Sequence, residues 1–202
     1  MPDFHFYEPA TGHGLAHNPL NAIVAPRPIG WVSTLSAQGK RNLAPYSFFN
    51  LINYTPPLIA FSSIGWKDSV ANIGATGEFV WNLATRAQAE QVNATATAQR
   101  EVDEFETAKL DTLPATIVKP QRVAGSPVQF ECKLTQLIQL TDKDGGAIDS
   151  WLVIGEAVGI HIDTAMIEDG VYQTAKARPI LRGGGPSDYF EPGELFHMIR
   201  PD

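Results

Sequence analysis

Cysteine is nearly missing from this chain: Cys132 stands alone among 202 residues, so no internal disulfide framework can form. It falls in the alternation Val128, Phe130, Cys132, Leu134, which reads as a small buried side chain. Apolar runs of membrane-spanning length are also missing. The opening MPDFHFYEPATGHG has neither the basic start nor the apolar middle of a secretory signal. A cytoplasmic protein with no membrane association is therefore expected. Positive charge is in deficit, with 15 Lys and Arg against 22 Asp and Glu and a net charge of −7. That balance argues against nucleic-acid binding, which relies on basic surface to displace counterions. No G-x-x-x-x-G-K-[ST] is present, so the chain is no nucleotide-hydrolysing P-loop protein. No G-x-S-x-G suggests a hydrolase elbow. No G-x-G-x-x-G marks a separate dinucleotide domain. Internal repeats are lacking as well.

What remains is a globular composition, 44% hydrophobic and 18% charged, in a length suited to one domain. Residues 1–19 carry no period and read as an extended arm, leaving 20–202 as the folded domain. Asn21–Ala25 and Ile29–Ser36 read as strands separated by Pro26-Arg27-Pro28, whose prolines mark an edge or a bend. Ala37–Lys40 is a turn into a strand over Asn42–Phe49, and Tyr54–Pro57 a turn into Leu58–Ser63. A helix is expected from Asp68 or Ser69, either of which could cap it, to Gly77. Glu78–Leu83 is strand-like and Thr85–Thr97 an Ala-rich helix. The four acids from Glu101 to Glu106 read as a solvated face rather than a metal site. Val128–Leu140 and Trp151–Asp163 alternate as two long strands around a polar turn. In the second, Val153, Gly155, Ala157, Gly159 and His161 form a mostly small face open to close approach. A short helical piece is expected near Gln173–Ala177. Strands dominate, the turns are hairpin-like and no regular crossover helices intervene. The expected fold is an antiparallel barrel with peripheral helices.

Two polar clusters carry the chemistry. Ser33 falls on one face of its strand, Thr34 and Ser36 on the other. Buried hydroxyls need partners, and the plain reading is that they bond neighbouring backbone. The following strand adds Asn42, Ser47, Asn50 and Asn53, so two adjacent strands present the donors and acceptors that a polar heterocycle requires. The second cluster, Ser62-Ser63-Ile64-Gly65-Trp66-Lys67-Asp68-Ser69, ends a strand in two serines, bends at a glycine and opens a helix after a lysine. Free N–H groups at a helix start, hydroxyls and an ammonium make a phosphate site. The plain alternative is a capped helix beside a solvated lysine.

The runs PRPIGWVSTLS, NLAPYSFFN, PPLIAFSSIGWKDSVANI and TGEFVWNLAT, in this order, resemble the flavin reductase-like FMN-binding split-barrel family, which includes flavoredoxin-type proteins. The similarity continues through SPVQFECKLTQLIQL, WLVIGEAVGIHI and ARPILRGGGPSDYF, and so spans nearly everything from about residue 19 onward. The resemblance implies a homodimeric, six-stranded split barrel with FMN near the subunit interface. It implies that Ser33, Thr34 and Leu35 face the flavin ring and ribityl chain, and that Ser47, Phe48 and Asn50 form a second wall. Ser62, Ser63, Lys67, Asp68 and Ser69 would make the phosphate pocket, Asp68 meeting the phosphate through its backbone N–H as a helix cap. Arg27 would lend charge. The activity implied is hydride transfer from NADH or NADPH to FMN and on to free flavin, a partner oxygenase or another acceptor. The alternative is an FMN-binding electron carrier or storage protein without turnover.

Other residues carry less. His13 and His17 have metal-like spacing only on a helix, which Gly12, Gly14 and Pro19 oppose, so no metal is expected. His161 is the one candidate for contact with a nicotinamide or substrate, against the plainer reading of a satisfied structural histidine. Arg182 beside the triple glycine marks a bend or a flexible exit. Trp31, Trp66, Trp81 and Trp151 read as core or interface.

Overall fold

The computed structural model describes residues 2–100 and 102–201. Seven strands make the principal sheet: β1 (Gly30–Leu35), β2 (Arg41–Tyr46), β3 (Phe49–Asn53), β4 (Leu58–Ile64), β5 (Glu78–Leu83), β6 (Val128–Thr141) and β7 (Ala147–Ile162). Their spatial order is β2-β1-β5-β6-β7-β4-β3, with every pairing antiparallel. Irregularities of register between β6 and β7, at Ile154/Gly155 and Ala157/Gly159, increase the local bend. The sheet curls into a half-barrel, the split-barrel architecture expected from the sequence, with the short strand β3 added at one edge. Helix α1 (Asp68–Thr76) packs Val70 and Ile73 into its interior.

Alternation along β1 divides the core in two. Val32 joins Tyr46, Ile59, Phe61, Val70, Phe79 and Val153 inside the barrel. Trp31 points the other way, into a cluster with Leu43, Val92, Phe105, Val123 and Ile180. The small face of β7 turns inward. A Cβ on Gly155 would lie 2.4 Å from the Phe79 ring, so the close approach is made by an aromatic of the core and not by a ligand. Cys132 is buried, and burial pushes its thiol well above the ordinary range. Gly77 ends α1 in the left-handed region at φ 72°, its N–H donating to Ile73 O at 2.8 Å.

Several local expectations need correction. Residues 20–23 form one helical turn, Leu20–Ile23, and not part of a strand. The strand expected over Asn42–Phe49 breaks after Tyr46, and Phe49 begins β3. The Ala-rich segment is a 3-10 turn, Arg86–Gln88, followed by the short α2 (Ala89–Ala94). The acidic run is not simply solvated. In α3 (Glu104–Thr107), Glu104 is only 4% exposed and accepts the Leu43 N–H at 3.0 Å. It thereby covers the open edge of β2, as an edge strand requires. Burial raises the Glu104 pKa, with the Leu43 N–H and its own backbone N–H opposing. Asp103 caps α3 and pairs with Arg41. Glu101 lies outside the described residues.

Candidate functional site

The two polar clusters meet at one corner, where the β1–β2 hairpin touches the start of α1. Thr34 Oγ1 accepts from Asn42 Nδ2 at 3.2 Å and from Asn72 Nδ2 at 3.0 Å. Asn42 Nδ2 also donates to Ser69 Oγ at 2.8 Å. Thr34 and Ser69 are each 1% exposed, so the network is enclosed and ties three elements together. Below it the Tyr46 hydroxyl sits beside Ser63 and Ser69 without a well-formed hydrogen bond to either. Burial raises the Tyr46 pKa, against the lowering influence of those two hydroxyls. A cavity of about 900 Å³ adjoins the network, with Leu35, Asn42, Asp68 and Asn72 among its walls together with Lys40, Lys119 and the paired Arg41 and Asp103.

Lys67 occupies the N-cap position of α1, its carbonyl accepting the Ala71 N–H at 2.9 Å, and its side chain is exposed. Asp68 is the first residue inside the helix and not its cap. A carboxylate there complements the positive end of the helix dipole. The N–H groups of this first turn have no acceptor within the helix.

The remaining candidates separate into two groups. Ser62, Phe48 and Asn50 lie along the β3–β4 edge: Ser62 N donates to Phe48 O at 2.8 Å, and the Ser62 and Ser150 hydroxyls are 3.1 Å apart. Phe48 is 42% exposed and lies under the Arg27 guanidinium, 5.7 Å from the ring centre. Ser47 is half-buried beside it, and Asn50 is exposed with its Oδ1 accepting the Leu51 N–H. Ser63 turns inward and donates to Gly65 O at 2.9 Å. Ser33 belongs elsewhere. It is fully buried on the opposite face of β1 and donates to Gln121 O at 2.6 Å, the plain reading of a buried hydroxyl.

That contact fastens a strap, residues 114–121, across the sheet. Its Thr116, Ile117 and Val118 N–H groups all donate to the Glu131 carboxylate, at 2.7, 2.6 and 3.0 Å, and Lys119 N donates to Glu78 at 3.0 Å. His161 Nε2 lies 2.6 Å from Glu131 Oε1. His161 is thus a satisfied structural partner of a buried acid. Burial alone would raise the Glu131 pKa; His161 and the three N–H groups outweigh it and hold the carboxyl down at about 2. Glu131 has no exposed surface, yet it is not deep, since its His161 partner is 27% exposed. Asn72, Tyr46 and Glu131 escaped the reading of the sequence. Asn72 follows Ser69 by three residues and so shares its helix face, a spacing that could have marked it.

The chain is a curled antiparallel half-barrel of the split-barrel type, with a hydroxyl-and-amide corner at a helix start. The family model described as "Flavin reductase like domain" matches residues 24–181, and the chain belongs to that family. A protein of Aquifex aeolicus is 36% identical over 170 residues, covering 81% of this chain and 83% of its own. Among solved structures, nitrilotriacetate monooxygenase component B from Bacillus cereus superposes with a TM-score of 0.82 at 29% identity, covering 91% of this chain and 98% of that one. The 2-nitrobenzoate 2-nitroreductase of Pseudomonas fluorescens gives a TM-score of 0.79 at 28% identity, with coverage of 90% and 88%. Among the described residues, no helix is long and apolar enough to cross a membrane.

Proposed function

We propose that this chain binds FMN and acts as an NAD(P)H-dependent oxidoreductase of the flavin reductase type. The observation that carries the reading is the Thr34–Asn42–Ser69–Asn72 network, which ties the two polar clusters together beside a cavity lined by Leu35, Asn42, Asp68 and Asn72. The residues present suit the cofactor. The first-turn N–H groups of α1, Lys67 and the Ser62 hydroxyl would supply the phosphate donors, with the buried hydroxyls of Ser63 and Ser69 behind them. The cavity of about 900 Å³ falls in the range of cofactor sites. Leu35, Ser47, Phe48 and Asn50 would line the ring and its chain. Thr34 and Ser33 act one step back, Thr34 by orienting the amides and Ser33 by holding the strap. FMN, when bound, supplies a ring that accepts hydride from a reduced nicotinamide. The protein contributes grip on the phosphate, one fixed wall and one open side.

Two features support a wider setting. Leu51 and Ile52 on β3 and Ile160 and Ile162 on β7 are 40–50% exposed, an apolar surface suited to a homodimer. The similarity to a monooxygenase component B supports delivery of reduced flavin to a partner oxygenase. Residues 1–19 would be an arm outside the domain of residues 20–202. The test is anaerobic mixing of FMN-loaded protein with NADH and with NADPH, followed at the flavin band. Rapid bleaching by either is the expected result. Bleaching by dithionite alone would make the protein an electron carrier or storage protein instead.

A further inference from the structure

Among the described residues, Arg27 is a held cation without an anionic partner. It sits between two prolines and pairs in antiparallel register with Arg182. Its Nη1 donates to the carbonyls of Asn21 and Val24, at 2.6 and 2.5 Å, and its Nη2 to Gly183 O at 3.3 Å. Nε is enclosed and has no acceptor. These carbonyls immobilise the guanidinium without neutralising it, and among the described residues no carboxylate forms an ion pair with it. The surroundings are closely packed: a Cβ on Gly184 would collide with the Ala22 backbone, so the glycine loop lies against the Leu20–Ile23 turn beside Arg27. The charged plane lies over Phe48, a residue 42% exposed. A half-buried, uncompensated charge favours an anion beside it.

We propose that Arg27 is the counter-charge for a reduced, anionic flavin ring bound along the Phe48 wall, and so sets the reduction potential of the cofactor. The inference rests on the FMN reading above. Two-electron reduction at neutral pH leaves negative charge on the ring system near N1, while the phosphate charge is the same in both redox states. A cation beside the ring therefore favours the reduced state selectively; a cation beside the phosphate favours both states alike. Arg27 lies over Phe48, whereas Lys67 and the first-turn N–H groups assigned to the phosphate lie at the start of α1.

The experiment measures the two-electron midpoint potential of FMN-loaded wild type, Arg27→Met and Arg27→Lys by reductive titration against an indicator dye. Melting temperature and the affinities for FMN and riboflavin are measured alongside. Arg27→Met is expected to lose about tenfold in preference for reduced over oxidised FMN, a potential about 30 mV more negative. Arg27→Lys is expected to keep the wild-type potential while melting lower, because the charge stays and the three-carbonyl clamp is lost. Arg27→Gln serves as the neutral variant should the methionine protein not fold. An unchanged potential in the neutral variant, with a lower melting temperature, would reduce Arg27 to a structural clamp and overturn the proposal. Equal potential shifts in the lysine and neutral variants would overturn it too. A loss of FMN affinity much larger than that of riboflavin would reassign the charge to the phosphate. Failure of the wild type to take up FMN would defeat the parent reading before the comparison is reached.

Discussion

The strap around Glu131 and the corner around Thr34 are built from the same materials and differ in what lies beside them. At the strap, the carboxylate already receives three backbone N–H groups and His161, and Ser33 is spent on Gln121 O. At the corner, Thr34, Asn42, Asn72 and Ser69 satisfy one another beside a cavity of about 900 Å³, next to the first turn of α1. Both are buried polar constellations, and the second adjoins the start of α1, where the phosphate site is proposed. A closed polar network fixes structure; one at a cavity offers binding.

The comparison is broken most severely by removing the anion of the strap. Glu131→Ala leaves three N–H groups without an acceptor and is expected to cost about 3–5 kcal/mol of stability, read by urea unfolding. The milder Glu131→Gln exposes the pH dependence. A carboxyl lowered from 4.5 to about 2 contributes stability that is fully present above pH 4.5 and is lost as pH falls through about 2. That contribution is ~3 kcal/mol, so wild type should lose this much relative to Glu131→Gln between pH 5 and 2. Flavin affinity per folded molecule should change little in either variant.

The corner predicts the opposite pattern. Thr34→Val removes the acceptor shared by Asn42 and Asn72 and should weaken FMN binding by about 1–3 kcal/mol, measured by flavin fluorescence. Lys67→Ala should weaken FMN by about 1–3 kcal/mol while leaving riboflavin nearly unaffected, because only the phosphate contact goes. Equal losses for both ligands would remove Lys67 from the phosphate pocket. The smallest effect belongs to Glu104→Gln. Its amide oxygen can still accept the Leu43 N–H, and the raised pKa shows that burying the charge is costly. Stability at pH 7 should stay within about 1 kcal/mol of wild type or rise, and the gain should shrink as pH falls and wild-type Glu104 protonates.

These contrasts also show what the sequence could disclose. Alternation made β6 and β7 legible, and a glycine at the end of an apolar helix face placed Gly77 correctly. The order of PRPIGWVSTLS, NLAPYSFFN and the segment to Ile73 pointed to the barrel. Ser33 was harder, because strand period assigns a face but not the element that covers it, here the irregular strap at Gln121. Glu104 and Glu131 were hidden for a related reason. Each carboxylate serves backbone N–H groups distant in sequence, and charge alone reads as solvation. Leu20–Ile23 misled because a single helical turn carries no period.

Titration of flavin-free wild-type protein with FMN and with riboflavin tests the central claim most directly, since the ligands differ only in the phosphate assigned to the start of α1. FMN should bind at least tenfold more tightly. Equal affinities, or no binding of either flavin, would contradict the account.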